Sequence, residues 1–166
     1  MIDQELLRKI AIFKDLDENE LEHLAPYLKL QEYPKGSYIL KENTVGDQFF
    51  ILIKGRVKIS KDLIKALDSE MASTQKALAT LEGKDLPTFG ENGILGQAPR
   101  NANVIAGTEC ALYGLSNQDF DDFAHVHTHA AFMIMKSIAM LLTQRLKSTD
   151  ENLVKLATAL YIAVQA

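Results

Sequence analysis

From Phe89 to Ala102 the chain reads Phe-Gly-Glu-Asn-Gly-Ile-Leu-Gly-Gln-Ala-Pro-Arg-Asn-Ala. One acid, Glu91, and one arginine, Arg100, share this stretch with Gly90, Gly93 and Gly96. Glycine lets a backbone approach a ligand closely and adopt positive φ. Successive N–H groups in a tight turn, or at the start of a one-turn helix, form a nest for an anion. Arg100 adds a permanently charged, forked donor set that matches phosphate oxygens. Glu91 can accept hydrogen bonds from sugar hydroxyls. Together these groups fit a phosphorylated sugar. An ordinary surface turn closed by a Glu91–Arg100 ion pair accounts for the same composition, because glycine-rich patterns overmatch.

Other reactive side chains point to less. His125, His127 and His129 alternate, and a helix through them would put His125 and His129 on one face, a spacing that can grip zinc. The nearest acids, Asp121 and Asp122, fall on the preceding turn and no cysteine is close. A packing or solvated role is expected, with no metal. All four histidines, His23 included, fall in helical zones, which argues against a cupin-type enzyme with histidine ligands on strands. Cys110, the single cysteine, lies in an apolar run without a nearby histidine, so it reads as core rather than nucleophile. It can form no internal disulfide, which suits a reducing compartment. Met133, Met135 and Met140 read as core or seam.

The elements around the Phe89–Ala102 stretch are short and β-type. Tyr38–Leu40, Phe49–Ile53, Arg56–Ile59, Ala77–Leu81, Ala102–Ile105 and Cys110–Tyr113 are rich in strand formers, and Pro34-Lys35-Gly36, Gly46-Asp47, Lys54-Gly55 and Gly107 punctuate them. Many short strands without alternating helices predict an antiparallel roll or barrel rather than a parallel sheet. Within this zone Leu63, Ile64, Leu67 and Met71 recur at helical spacing, which predicts an amphipathic helix inserted over 61–76.

Helices flank the β zone. Leu6, Leu7 and Ile10 share helical spacing. Ile12–Leu16 reads as a linker, and Asp17 with Glu20 forms a capping-box pattern for a second helix. After Ser116 the chain has no Pro and no Gly. Ser116 or Asn117 can cap a short helix carrying Phe120 and Phe123, and a longer helix follows from about His129. Met135, Ala139, Leu142, Leu146, Thr149, Leu153, Leu156, Leu160 and Ala163 alternate by four and three, the coiled-coil template, so a homodimer through 135–163 is expected. The same face can also pack on the roll. Phe132, Ile138 and Leu141 lie off that stripe and are expected to face the roll. Ser148-Thr149-Asp150-Glu151 is a capping pattern that would break the helix there. The organisation expected is thus a roll with N-terminal helices over 1–128 and a C-terminal helix over 129–166.

The chain's 166 residues suit one domain, and 47% apolar with 24% charged content suits a globular one. Its net charge of −4 is a poor footprint for a general nucleic-acid binder, though not for one small anion. The acidic start Met1-Ile2-Asp3-Gln4-Glu5 lacks a secretory apolar region, and the apolar stretch from Ala130 to Leu142 is too short to span a bilayer. A cytoplasmic protein without membrane contact is expected.

The spacing of Phe89-Gly90-Glu91 and Pro99-Arg100 resembles the phosphate-binding cassette of the cyclic-nucleotide-binding domains of catabolite-activator regulators, cAMP-dependent kinase regulatory subunits and nucleotide-gated channels. That cassette opens on Phe-Gly-Glu, runs through a one-turn helix and closes on Pro-Arg and a small residue. Ile12-Phe13-Lys14-Asp15-Leu16, Tyr33-Pro34-Lys35-Gly36, Val45-Gly46-Asp47-Gln48-Phe49-Phe50-Ile51, Ile53-Lys54-Gly55-Arg56-Val57 and Leu78-Ala79-Thr80-Leu81 are similar to the family's other motifs, in order, over roughly residues 10–125. The resemblance implies a jelly-roll-like, double-stranded β-helix that binds cAMP or cGMP without turnover or cofactor. It implies ribose binding by Glu91 and phosphate binding by Arg100. The N–H groups of Asn92 and Gly93 and the backbone at Asn101 would cradle the phosphate, with Phe89, Gly90, Pro99 and Ala102 shaping the site. The C-terminal helix would cover the base and signal by moving. Asn92 and Asn101 depart from the family's usual residues, and 82–88 is longer than its usual approach. The family's activators place a DNA-binding winged helix after the long helix. The chain stops at Ala166, so an unidentified effector protein is expected instead of DNA. A chain that keeps the fold and acts only as an interaction module is the alternative.

Overall fold

The computed structural model describes residues 2–62, 75–96 and 98–165. Its elements are α1 (Gln4–Lys9), α2 (Glu18–Leu24), β1 (Lys29–Tyr33), β2 (Tyr38–Leu40), β3 (Val45–Gly46), β4 (Gln48–Lys54), β5 (Arg56–Asp62), β6 (Gln75–Glu82), β7 (Thr88–Phe89), β8 (Ala98–Pro99), β9 (Asn103–Ala106), β10 (Cys110–Ser116), α3 (Asn117–Val126) and α4 (Thr128–Gln165).

Alternation along β4 shows how the layers form. Successive strand side chains point to opposite faces. Phe49 and Ile51 join an apolar cluster with the helices, Phe50 and Leu52 join a cluster between the sheets, and all four are buried. A strand covered on both faces reads as a continuous apolar run, as Phe49–Ile53 does. Among the described residues, β1-β10-β4-β7 form one antiparallel sheet and β2-β9-β5-β6 the other, with β3 pairing β8 as a small ribbon. The inter-sheet core holds Ile39, Phe50, Leu52, Val57, Phe89, Val104 and Leu112, with Cys110 buried at 4% exposure as expected of a core thiol. This is the mainly β roll with flanking helices that the sequence implies.

The helical layer is built on local signals that the chain states openly. The Asp17 side chain accepts from the Glu20 N–H at 2.8 Å, and Glu20 accepts from the Asp17 N–H at 3.0 Å, closing the capping box. Ser116 caps α3 by accepting from the Asp119 N–H. The stretch Ile12–Leu16 is more than a linker, because Ile12, Phe13 and Leu16 are buried in the helix-side core. Phe123 is fully buried between α3, Tyr27 and the root of α4, with His127 stacked on it at 5.0 Å.

Three expectations change. Residues 61–62 end β5 and 75–76 begin β6, so the ends of the helix expected over 61–76 are paired strand; its remainder, 63–74, lies outside the described residues. The helix α4 runs unbroken through Ser148–Glu151, since a capping pattern within a strong helical run does not force a stop. Ile138 and Leu141 pack on the domain as expected, whereas Phe132 is 62% exposed on the opposite side.

The root of α4 depends on Phe123. Replacing Phe123 with Ala is expected to cost about 3–5 kcal/mol of stability, measured by urea unfolding with the midpoint moving to lower denaturant and the slope unchanged.

Candidate functional site

Arg100 lies at the end of the ribbon formed by β3 and β8. Its backbone is pinned on both sides, the N–H donating to Thr44 O and the carbonyl accepting from Asn43 N–H, each at 2.9 Å. Its guanidinium is buried, and it donates to the carbonyls of Gly90 (3.1 Å) and Gln48 (2.7 Å). No carboxylate lies within ion-pair distance of it among the described residues. Burial pushes its pKa down from the ordinary arginine value, while Asp47 and Glu91 push it back from further off. A guanidinium held by neutral carbonyls keeps its full charge in a desolvated place. Such a charge is costly unless a counter-ion arrives.

The turn that faces Arg100 is tightly specified. Gly90 takes φ +78°, the left-handed region, and its carbonyl accepts from Arg100. The 3-10 turn Glu91–Gly93 follows. A Cβ on Gly93 would stand 2.3 Å from Gln48 O, so this glycine lets the turn lie against β4. The Gly93 N–H donates within the turn, to Gly90 O at 2.8 Å. In this structure that N–H is therefore engaged, and Gly93 serves the packing of the turn. Gly46 plays the corresponding part opposite, since a Cβ there would meet Arg100 Nε at 2.7 Å. The longer approach over 82–88 is taken up by a 3-10 turn, Gly83–Asp85, whose Gly83 N–H donates to Gly55 O at 2.8 Å.

A cavity of about 270 Å³ opens here, near the lower end of the range for small-molecule sites. Arg100, Glu91 and Arg145 form its charged pole. Leu40, Ile59, Phe89, Val104 and Leu142 form an apolar wall, and Asn92, Asn101 and Ala102 complete the lining. Phe89 is buried and stacks on Phe50 at 5.8 Å. Pro99 is exposed beside the cavity, in β8. A second cavity of about 200 Å³ shares Leu40 and Arg100 with the first. A third, of about 330 Å³, is lined by Glu32, Tyr33, Lys54, Glu109 and Cys110. Its charged residues are all exposed and hydrated, so it gathers no desolvated charge.

Glu91 is not paired with Arg100. It is 6% exposed and accepts from Arg145 of α4 at 2.7 Å, while the other terminal nitrogen of Arg145 donates to Thr88 O at 2.8 Å. The simple surface turn closed by Glu91 and Arg100 is therefore not what forms. Arg145 is the site residue that the cassette pattern does not reveal. A signal for it was present: Ile134, Ile138, Leu141 and Arg145 step by four, three and four, so Arg145 continues the face on which α4 packs.

The histidines settle into packing and surface roles. His125 lies in the last turn of α3 and His129 in α4, so they do not share a helix. The Nδ1 of His125 contacts Asp121 O, and that of His129 contacts Glu20 at 2.8 Å. His127 stacks near His23 at 4.5 Å. No group of three metal-ligating side chains is found among the described residues. Among them, too, no helix is long and apolar enough to cross a membrane.

The family model for the cyclic nucleotide-binding domain matches residues 30–127. The chain belongs to the cyclic nucleotide-binding domain family. Within this domain the match covers the whole cassette. Among relatives, the chain is 34% identical over 107 residues to cGMP-dependent protein kinase isozyme 1 of Drosophila melanogaster, and 33% identical over 100 residues to human cGMP-dependent protein kinase 2. These matches take in 63% and 60% of the chain but only 13% and 12% of the kinases. Among solved structures, a cyclic nucleotide-binding domain from Methylobacillus flagellatus superposes with a TM-score of 0.76 at 18% identity, covering 90% of this chain and 83% of that one. The catabolite activator protein of Thermus thermophilus gives 0.74 at 22% identity, covering 89% and 63%. At these identities the structural likeness concerns the fold.

The pairing of Glu91 with Arg145 ties α4 to the cassette of this domain. Arg145 is 46% exposed, so screening holds the pair to about 1 kcal/mol. Replacing Arg145 with Ala is expected to speed amide exchange over 141–148 about fivefold, read by hydrogen–deuterium exchange, with the β4 and β10 amides unchanged.

Proposed function

We propose that the chain binds a cyclic mononucleotide, cAMP or cGMP, without chemical turnover, and reports its occupancy through α4. One observation carries this reading: Arg100 is a buried cation, held by two carbonyls and, among the described residues, by no acid, at the charged pole of a cavity whose other wall is apolar. A cyclic phosphodiester supplies the single negative charge that this pole lacks. The ribose and base supply the hydroxyl and the flat apolar face that the remaining wall accepts.

The roles follow from position. Arg100 pairs with the phosphate, whose other oxygens meet the backbone at Asn92 and Asn101. Glu91 accepts from the ribose 2′-hydroxyl through lone pairs that Arg145 leaves open, since a carboxylate offers about four acceptor sites. The base lies against Leu40, Ile59 and Val104, with Leu142 of α4 above it. A ligand on Glu91 thus touches the same carboxylate as Arg145, and its arrival changes the balance that holds α4 in place. Signalling requires that the ligand favour one position of α4 over another. The output goes to an effector protein that reads α4.

Calorimetric titration with cAMP and with cGMP tests this. Saturable binding of at least one is expected. Arg100→Ala is expected to lose at least about tenfold in affinity. Gly46→Ala, which pushes on the guanidinium rather than removing it, is expected to weaken binding in the same direction. Absence of binding by either nucleotide, or full affinity in Arg100→Ala, contradicts the proposal and leaves the chain as an interaction module.

A further inference from the structure

Gln48 carries the carbonyl that accepts from Arg100, and the Gly93 turn lies against its backbone. It is the first residue of β4, a strand end. Ser116 of β10 stands across from it on one side, while β7 pairs with Phe50 and Ile51 and stops short of it. With Tyr33, Phe50 and Arg100 it also lines the cavity of about 200 Å³. Close packing, which fixes side chains elsewhere in a core, does not hold Gln48 from that side.

A chain of side-chain hydrogen bonds does. The Tyr33 hydroxyl donates to Gln31 Oε1 at 2.9 Å, and Gln31 Nε2 donates to Gln48 Oε1 at 3.1 Å. Gln31 and Tyr33 lie in β1 and Gln48 in β4, with β10 between them in the sheet. Neighbouring strands are about 4.8 Å apart, so the two amides must reach each other over a whole strand. Gly114 makes the crossing possible. It stands opposite Lys29 and Phe50, and a Cβ on it would lie 2.5 Å from Gln31 Nε2 and 3.5 Å from Gln48 Oε1. Glycine weakens a strand interior, and Gly114 takes no positive φ that would call for it. The crossing accounts for its presence. Tyr33 sets the direction of the chain. An amide donates only from its nitrogen, so a hydroxyl on Gln31 Oε1 turns Nε2 toward Gln48. Burial pushes the Tyr33 pKa up, so the phenol keeps the proton it donates.

We infer that Gln31, Tyr33 and Gly114 are positioning residues for Arg100: they strap Gln48 to β1, and Gln48 in turn fixes the guanidinium and the cassette turn. Where the strap sets affinity, it rests on the nucleotide binding proposed above. Where it sets the Arg100 side chain, it does not.

Calorimetry and nitrogen-15 spectra on the whole chain test it. Gln31→Ala is expected to weaken nucleotide binding about fivefold, the size of one neutral hydrogen bond. It is also expected to shift the Arg100 Nε–Hε signal of the ligand-free chain. Gly114→Ala is expected to do both, because its methyl displaces the flexible end of Gln31. The double variant is expected to lose no more than either alone, since both changes remove one bond. Tyr33→Phe is expected to move the signal in the same direction by less. Glu32→Ala, on the opposite face of β1, is expected to change neither signal nor affinity. An Arg100 signal that stays in place in Gln31→Ala overturns the inference, as does full affinity in that variant. A like loss in Glu32→Ala also overturns it, by reducing the effect to a general loosening of β1. Losses that add in the double variant overturn the part given to Gly114, and a signal unmoved in Tyr33→Phe overturns the part given to Tyr33. A wild type that binds neither nucleotide contradicts the proposed function, and the Arg100 signal then decides the strap alone.

Discussion

A buried guanidinium is the constraint around which the site is arranged. Arg100 is buried, desolvated and charged, and among the described residues the carbonyls of Gly90 and Gln48 hold it. Both carbonyls must come close, which explains the glycines. Gly90 turns through positive φ to present its carbonyl, Gly93 lets the turn lie against Gln48, and Gly46 leaves room for the guanidinium itself. Gln48 serves as a hub. Its backbone holds Arg100 and abuts Gly93, and its side chain accepts from Gln31 at 3.1 Å. The strand that fixes Gln48 is β4, buried on both faces. The rigidity of the core is thereby passed directly to the position of one charge.

The second constraint is that Glu91, also buried, is satisfied from outside the roll. Its partner Arg145 lies in α4, 54 residues away in sequence. The helix-side core holds Ile94, immediately after the cassette turn, together with Ile134 and Ile138 of α4. The cassette and α4 are therefore linked twice, once through a shared apolar core and once through a charge pair. A domain of this family that binds a ligand at the cassette has a physical route to α4 in these contacts.

Much of this was legible in the chain. The cassette could be read because turns depend on local chemistry, and Phe89 to Ala102 carries its glycines, acid and arginine in one short segment. The capping box at Asp17 and the buried run of β4 were legible for the same reason. What was not legible depends on distant contacts. The two-residue strands β3 and β8 are too short to carry a pattern, and they exist only because Val45 faces Pro99 and Gly46 faces Ala98. β1 alternates weakly, since its edge is largely exposed. The periodicity from Leu63 to Met71 concealed how far the strands extend, because β5 and β6 pair out to Asp62 and Gln75. Arg145 was hidden because it occupies a position on the packing face of α4 where the pattern otherwise places an apolar residue. Phe132 was assigned to the roll by its hydrophobicity, whereas its place on α4 puts it in the exposed stripe with Leu146 and Leu153.

The central claim is the proposal that Arg100 pairs with the phosphate of a cyclic nucleotide, and its own side-chain resonance tests this most directly. In a nitrogen-15 correlation spectrum, the Nε–Hε signal of Arg100 can be assigned by its loss in Arg100→Lys. During titration with cAMP and with cGMP, that signal is expected to shift progressively and saturate together with the backbone amides of Asn92 and Asn101. A nucleotide that binds while the Arg100 signal stays in place, or a signal unmoved by either nucleotide at saturating concentration, would contradict it.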